Sequence, residues 1–377
     1  MIQLFTAKFS SKIDVENVGT SRLKAFIEEN NEKIEVTYFN VTEDYKNQMH
    51  EVILDCNIFG FSMYDDTVEY FIQVINGIKS LKPSAIIVVG SKFVTLYYKE
   101  ILEMFDNVDL AVLGDGEESL LGLIKHVNAG KDINLLATKH KNIASRNNLG
   151  QKRPAVLNIN ELPWPDRSWM KDSDKNIFSL ICHSQSCIGK CSFCTQDNYY
   201  TQWNGRSPED VYKEITEIND KFGIRWFYFT ASSLEDPGVV GKENIRKLCL
   251  YLKENNKKFD FKYYLRADTF SDTEYDRELL KLMRSCGFNL ATVGIESGND
   301  YDLKILNKRA STHQNRVTLK LLDDADIFAK TFGFIMFNPY TTRENLTLNY
   351  RFLNEFNTCS MARFISKLRI YNQTEIF

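Results

Sequence analysis

Four of the chain's eight cysteines fall within thirteen residues, in the stretch CHSQSCIGKCSFC from Cys182 to Cys194. Cys187, Cys191 and Cys194 are spaced C-x-x-x-C-x-x-C, with Phe193 directly before the last. Three thiolates so close together can hold three corners of a four-iron cluster. Full ligation of such a cluster takes four cysteines, so three leave one iron open to a small chelating ligand. A structural zinc site is a competing reading, with Cys182 or His183 as fourth ligand. Zinc sites, however, usually pair two knuckles far apart in sequence, and a second C-x-x-C knuckle is missing here. Coincidental core cysteines are the third reading. Cys182 lies on the expected strand before the loop and reads as a core residue rather than a ligand. Cys56, Cys249, Cys286 and Cys359 are scattered among apolar neighbours and are expected to be buried thiols.

The rest of the chain must position that loop. Its 377 residues have room for two domains. A net charge of -3 gives no reason to expect nucleic acid or an anionic membrane as partner. The N-terminus lacks the basic-then-apolar run of a signal peptide, and no stretch reaches 18 consecutive apolar residues. The expected compartment is the cytoplasm, where disulfides are disfavoured and clustered cysteines point to metal or redox chemistry.

Residues 1–130 alternate apolar, β-rich runs with helix-length segments. Strands are expected at Gln3–Ala7, Ile34–Phe39, Ile58–Ser62, Ala85–Val89 and Leu110–Leu113, with helices at Asp65–Leu81 and Leu96–Phe105 between them. This order implies a doubly wound parallel sheet, which binds ligands at the carboxyl ends of its strands. Residues 131–176 mix polar residues, glycine and proline and read as a linker, with Trp164 and Trp169 to pin it down. From residue 177 to 377 the alternation resumes. Strands are expected at Phe178–Cys182, Arg225–Thr230, Lys262–Leu265, Leu290–Gly294, Lys330–Phe337 and Phe364–Ile370. A helix is marked by Ser207 as N-cap, Pro208 at the first helical position and Gly223 after its end. Five or six β-α units make a partial (β/α)6 barrel, with the cysteine loop after its first strand and so at the face where barrels keep their active sites.

C-x-x-x-C-x-Phe-C after a first strand resembles the signature of the radical S-adenosylmethionine (SAM) enzymes. "LRAD" (Leu265–Asp268), "VGIESGND" (Val293–Asp300) and "FIMFNPYTTRENL" follow in the order of that family's large branch with methylthiotransferase-like domains. Upstream, "VDLAVLGDGEESLLGLI" resembles the Gly-Glu-Gly-Glu segment of cobalamin-binding-type domains, and "ELPWPDRSWM" resembles the family's linker box. The whole architecture resembles a cobalamin-binding-domain radical SAM protein, its Rossmann-like or flavodoxin-like N-terminal sheet preceding the barrel.

The resemblance implies a [4Fe–4S] cluster on Cys187, Cys191 and Cys194 whose open iron binds SAM, and reductive cleavage of SAM to a 5′-deoxyadenosyl radical. It implies backbone contact from Phe193 to the adenine, a carboxylate contact from Arg266, and a ribose contact from Glu296. For Arg266 a surface ion pair is the alternative, and for Glu296 a structural salt bridge. "TASSLED" replaces the usual Gly-Gly-Glu after the second strand, and Ser232 could offer an oxygen there. "FNPYTT" around Asn338 lacks the usual glycines.

For cobalamin, the Asp-x-His-x-x-Gly motif is absent, as in many relatives that bind the corrinoid without a histidine. "VVGSKFVT" stands where relatives show Gly-Gly-Pro-His-Ala-Thr; it keeps Gly90 but places Ser91, Lys92 and Phe93 beside it. Ser62, Gly90, Gly114 and Glu117 are the expected contacts. The functional expectation is a cobalamin-dependent methyltransferase acting on an unactivated carbon of a small molecule or peptide, served by an electron donor such as flavodoxin or ferredoxin. A cobalamin-independent radical enzyme for dehydration, epimerisation or bond formation is the second expectation, and a non-enzymatic iron–sulfur or zinc protein the third. No catalytic base or radical-quenching residue is selected by sequence; Tyr199, Tyr200 and Cys359 are all candidates.

Overall fold

The computed structural model describes residues 1–9, 16–149, 157–170, 178–199 and 202–377. The chain divides into two compact units, Met1–Ile177 with Tyr199–Thr201, and Phe178–Asn198 with Gln202–Phe377. Residues 150–156 and 171–176 of the expected linker lie outside the described residues, as does Tyr200.

The first unit is built on strands β1 (Ile2–Lys8), β2 (Ile34–Asn40), β3 (Ile58–Ser62), β4 (Ile86–Gly90), β5 (Leu110–Val112) and β6 (Ile143–Ala144). They lie in the order β2-β1-β3-β4-β5-β6, parallel except for β6, which pairs antiparallel with β5. Helices α1 (Val18–Glu29), α2 (Val68–Leu81), α3 (Lys92–Met104) and α4 (Glu117–Asn128) cover both faces, and a short α5 (Leu136–Lys139) precedes β6. Alternate strand residues therefore enter two cores. Phe5, Phe59, Phe61, Ile87, Val89 and Ala111 pack on one side, and Leu4, Ile58, Val88, Leu110 and Val112 on the other. This two-sided burial is why the strands read as near-continuous apolar runs.

All five expected strands of the first unit form within one residue of their expected limits. Two details differ. Helix α2 starts at Val68 rather than Asp65, because Tyr64–Thr67 is already closed as a turn, with the Tyr64 amide donating to Thr67 Oγ1 at 2.8 Å. And β6 extends the sheet from within the stretch expected to be linker. Trp169 does pack there, its ring 6.2 Å from that of Tyr38.

The second unit holds β7 (Ser179–Ile181), a small antiparallel pair β8 (Ser184–Gln185) and β9 (Asn204–Gly205), then β10 (Trp226–Phe229), β11 (Asp260–Arg266), β12 (Leu290–Glu296) and β13 (Phe328–Phe334). Its main sheet is all parallel, in the order β13-β12-β11-β10-β7. Helices α6 (Gln196–Tyr199, its last residue grouped with the first unit), α7 (Pro208–Phe222), α8 (Val239–Glu254), α9 (Glu274–Ser285), α10 (Asp300–Ile305), α11 (Thr312–Asp324), α12 (Arg343–Glu355) and α13 (Met361–Phe364) follow the strands singly or in pairs. Helix α7 is framed as its sequence implies. Ser207 caps it by accepting from the Asp210 amide at 3.2 Å, Pro208 opens it, and Gly223 closes it in the left-handed region at φ +70°.

Phe364–Ile370 does not form the expected sixth strand. Ser360 caps the one-turn helix α13, and sheet pairing is reduced to a single parallel bridge between Phe337 and Lys367. Phe337 donates to Ser366 O at 3.1 Å and accepts from the Leu368 amide at 2.8 Å, after which the ladder stops. Cys359 is likewise exposed rather than buried, whereas Cys56, Cys249 and Cys286 are buried as expected.

His183, between β7 and β8, sets a pH limit on this unit. Its ring packs edge-on against Phe229 at 5.2 Å, and burial followed by the nearby Arg206 charge pushes its pKa from 6.5 down to about 4. The unfolded chain thus takes up a proton below pH 6.5 that the folded unit refuses until about pH 4. Stability is expected to be full above 6.5, to decline through that window and to level off below it. Urea unfolding of wild type and His183→Phe across this range checks it; equal slopes would refute the assignment.

Candidate functional site

The cysteine loop leaves the carboxyl end of β7 and is fastened from both flanks by residues distant in sequence. On one side the Ile188 amide donates to Asp236 Oδ2 at 3.1 Å. On the other, the Ser192 hydroxyl donates to Ile305 O at 2.9 Å, the Ser192 amide to Leu306 O at 3.0 Å, and Asn307 Nδ2 to Lys190 O at 2.6 Å. A cavity of about 280 Å³ borders the loop, lined by Gly189–Ser192, Cys194 and Gln373–Glu375.

Within the loop the Gly189 amide donates to Cys187 Sγ at 3.2 Å. A Cβ on Gly189 would lie 3.3 Å from Cys187 Sγ and 3.9 Å from Cys191 Sγ, so both sulfurs flank this glycine and a side chain there would press on Cys187. The Cys194 amide closes back on Cys191 O at 3.0 Å. Cys187, Cys191 and Cys194 are all half-buried and free of disulfides. Burial, with Asp236 adding to it, pushes the Cys187 thiol up to about 12, and burial raises Cys191 as well. Such thiols ionise only with a strong positive partner, which is what metal ligation supplies. Among the described residues, no three His, Cys, Asp or Glu side chains close around a single metal-ion position. A cluster asks for something else, since each thiolate binds a separate iron. The three thiols together with the sulfur-directed amide suit that group.

Asp236 is fixed in turn by Arg266, the last residue of β11. Arg266 Nη1 meets Asp236 Oδ1 at 2.5 Å, while Nε and Nη2 grip both oxygens of Asp268 at 2.9 and 3.1 Å. Burial opposes the Arg266 charge, but Asp268 and Asp236 outweigh it and raise its pKa. The guanidinium therefore sits beside the cysteine loop in a carboxylate cage. Beneath it, buried Glu235 accepts from the Arg266 amide at 2.9 Å, from Ser233 Oγ at 2.6 Å and from Thr269 Oγ1 at 2.8 Å; burial raises its pKa.

Glu296 ends β12 with a left-handed backbone, φ +62°, a conformation that costs a non-glycine residue of order 1–3 kcal/mol. The following turn is built to hold it. Ser297 Oγ donates to Asp302 Oδ2 at 3.1 Å, and the Gly298 amide donates to Asn349 Oδ1 at 2.7 Å, in a buried network completed by Asn299. Gly298 admits no side chain, since its Cβ would stand 2.4 Å from Phe352 Cβ on α12. The Glu296 carboxylate lies over Gly294 and Gly333, whose Cβ atoms would come within 3.1 Å of its oxygens, and faces Lys308 Nζ at 3.6 Å. Burial disfavours the Lys308 ammonium, but Glu296 and then Cys191 overcompensate and raise its pKa.

The structure thus brings Cys187, Cys191, Cys194, Arg266 and Glu296 to one end of the sheet. Phe193 is half-buried in the turn before Cys194, and Ser232 half-buried in the bend after β10. Cys182 donates from Sγ to Ser184 O at 3.6 Å. Asn338 organises its own turn, accepting from the Tyr340 amide at 2.8 Å. Asp236 and Lys308 went unnoticed in the sequence. "LEDP" after the second strand and "LNKR" after "GIESGND" were the available signals.

In the first unit, Ser62 and Gly90 end neighbouring strands in register. Gly114 follows β5 at φ +71° and Glu117 opens α4, so all four expected contacts lie at the carboxyl edge of the sheet. Glu117 is buried and paired with Arg22 Nε at 3.0 Å. Ser91, left-handed at φ +145°, caps α3 and donates from its hydroxyl to Met63 O. The Gly114 amide donates to Thr95 Oγ1, and Gly114 O accepts from Tyr199 Oη, each at 3.0 Å.

Residues 181–353 match the family model of the radical SAM superfamily. They form a radical SAM domain. A domain of this family implies a [4Fe–4S] cluster and SAM. The anaerobic magnesium-protoporphyrin IX monomethyl ester cyclase of Cereibacter sphaeroides is 26% identical over 282 residues, 71% of this chain and 44% of the cyclase. The chain spans about half the length of the curated relatives it matches. Among solved structures, the cobalamin-dependent S-adenosylmethionine radical enzyme OxsB, with aqua-cobalamin and SAM bound, superposes with a TM-score of 0.80 at 21% identity, over 100% of this chain and 54% of OxsB. The radical SAM methyltransferase TsrM from Kitasatospora setae, with cobalamin and a [4Fe–4S] cluster bound, gives 0.79 at 14% identity, over 100% of this chain and 76% of TsrM. At these identities the structural likeness establishes the fold: a doubly wound sheet followed by a radical SAM barrel.

Proposed function

We propose that this radical SAM protein cleaves SAM reductively at a cluster held by Cys187, Cys191 and Cys194 and uses the resulting chemistry for cobalamin-dependent methyl transfer to a carbon of a small molecule or peptide. When bound, the cluster supplies the single electron that breaks a carbon–sulfur bond of SAM. The observation that carries the reading is the double fastening of the cysteine loop, by Asp236–Arg266 on one flank and residues 305–307 on the other, at the strand ends where Glu296 also lies.

The chain's own residues position and exclude. Arg266, through Asp236, fixes the loop backbone at Ile188; Phe193 offers backbone beside the last ligand; Glu296 presents acceptor oxygens suited to sugar hydroxyls, and Ser232 a further oxygen. An external one-electron donor, such as flavodoxin or ferredoxin, completes the scheme.

The cobalamin part is supported by Ser62, Gly90, Gly114 and Glu117 sharing one sheet edge, and by the fold shared with two proteins solved with cobalamin bound. A cobalamin-independent radical reaction is favoured by different observations: Ser91 is consumed in capping α3, and Glu117 is paired with Arg22. Corrinoid content decides between them. Protein purified anaerobically from cobalamin-fed cells is expected to carry near-stoichiometric corrinoid by mass spectrometry; none, with iron and sulfide retained, would establish the second reading.

A further inference from the structure

Lys308 has no role in the scheme above, yet it is among the most carefully placed charges in the second unit. It follows α10 directly after the segment whose three hydrogen bonds hold Lys190 and Ser192 of the cysteine loop. Its side chain is only 9% exposed. Glu296 from β12 faces the ammonium at 3.6 Å, and the charges of Asp268, from beyond β11, and of Cys191 and Cys187 in the loop also act on it. Gly294 makes the room: a Cβ there would lie 3.1 Å from both Lys308 Nζ and Glu296 Oε1. Burying a lysine is costly unless charge compensates it, and an ion pair needed only for stability has no reason to sit against a loop of metal ligands.

We propose that Lys308 and Glu296 are an opposed charge pair that sets how easily a cluster on Cys187, Cys191 and Cys194 accepts its electron. Reduction adds one negative charge at the loop. A fixed cation nearby, shielded from water, favours the reduced form by direct Coulomb attraction, and a fixed anion disfavours it. Lys308, on the Cys191 side, therefore raises the reduction potential, and Glu296 lowers it. The inference rests on the radical SAM reading and assigns Lys308 as a positioning charge rather than a catalytic residue.

The test uses the full chain, reconstituted anaerobically with iron and sulfide, and titrated with dithionite while the reduced cluster is followed by electron paramagnetic resonance. Each dithionite-derived electron goes to one cluster, with dithionite oxidised. Lys308→Met is expected to lower the ratio of reduced to oxidised cluster about tenfold at a fixed potential, about 59 mV for a one-electron couple. Glu296→Gln is expected to move it in the opposite direction, Lys308→Arg to stay near wild type, and the double variant to return toward it. A merely structural pair would lose iron in both single variants, with no sign reversal. An unmoved midpoint in Lys308→Met, or shifts of one sign in both, overturns the inference. If Lys308→Met holds no cluster, the sign of the Glu296→Gln shift decides: upward supports the proposal, none or downward overturns it. Wild-type protein that takes up no four-iron cluster would instead refute the radical SAM reading, and this inference with it.

Discussion

Alanine at Cys187, Cys191 or Cys194, one position at a time, is expected to reduce SAM cleavage to background and leave the reconstituted protein without its four-iron spectrum. Each of these thiols sits in a loop with no spare ligand of the same geometry. Among the described residues no other cysteine shares this loop, and Cys182 donates back to Ser184 O, facing its own hairpin. Cys182→Ala is therefore the internal control, with iron and sulfide content near wild type. Iron, sulfide and 5′-deoxyadenosine, measured on the same anaerobic preparations, check the prediction. Full SAM cleavage in any one of the three loop variants would break the assignment. Loss of iron in Cys182→Ala would instead revive the reading in which Cys182 is a ligand.

The second large effect is expected at Asp236. Its side chain is fully buried, it accepts the Ile188 amide, and it neutralises Arg266. Removing it leaves Arg266 to Asp268 alone and takes the acceptor from the Ile188 amide, and leaving a buried donor unsatisfied typically costs about 1–3 kcal/mol. Asp236→Ala should thus lower the unfolding free energy of the second unit by about that amount. It should also weaken cluster retention by about 10–100-fold, the usual consequence of losing a group that orients a metal-binding loop. Asp236→Asn, which keeps an acceptor for Ile188, should recover part of the retention and part of the stability. Denaturant unfolding and competition with a chelator separate the two losses. An Asp236→Ala protein with unchanged cluster retention would show that the loop needs no fastening on this flank.

What could be read from sequence divides along a physical line. The parallel strands were legible because burial on both faces makes them apolar throughout, and α7 because Ser207, Pro208 and Gly223 each carry a local signal of start or stop. The three loop cysteines proposed as cluster ligands stood out because of their spacing. Phe364–Ile370 misled because its apolar residues fit a strand period, while the capping of α13 by Ser360 and the single bridge to Phe337 are decided by neighbours far away in the chain. Asp236 and Lys308 escaped for the same reason. Asp236 meets Arg266 thirty positions on and Ile188 forty-eight back, and Lys308 gains its meaning only where Gly294 leaves space. Arg266 and Glu296 were visible as residue types at strand ends, but the carboxylate cage of the one and the lysine facing the other were not.

The two-sided fastening of the cysteine loop also governs when its shape can exist during synthesis. Its three cysteines are complete at residue 194, yet Asp236, Arg266 and the backbone of residues 305–307 must all be present before the loop is held. A nascent chain displaying only the three thiols offers iron a floppy tripod that must first be ordered at an entropic cost. The loop therefore takes its held shape only once the chain through residue 307 is available, so a cluster of the kind proposed would be seated in a formed loop and not in an unstructured peptide.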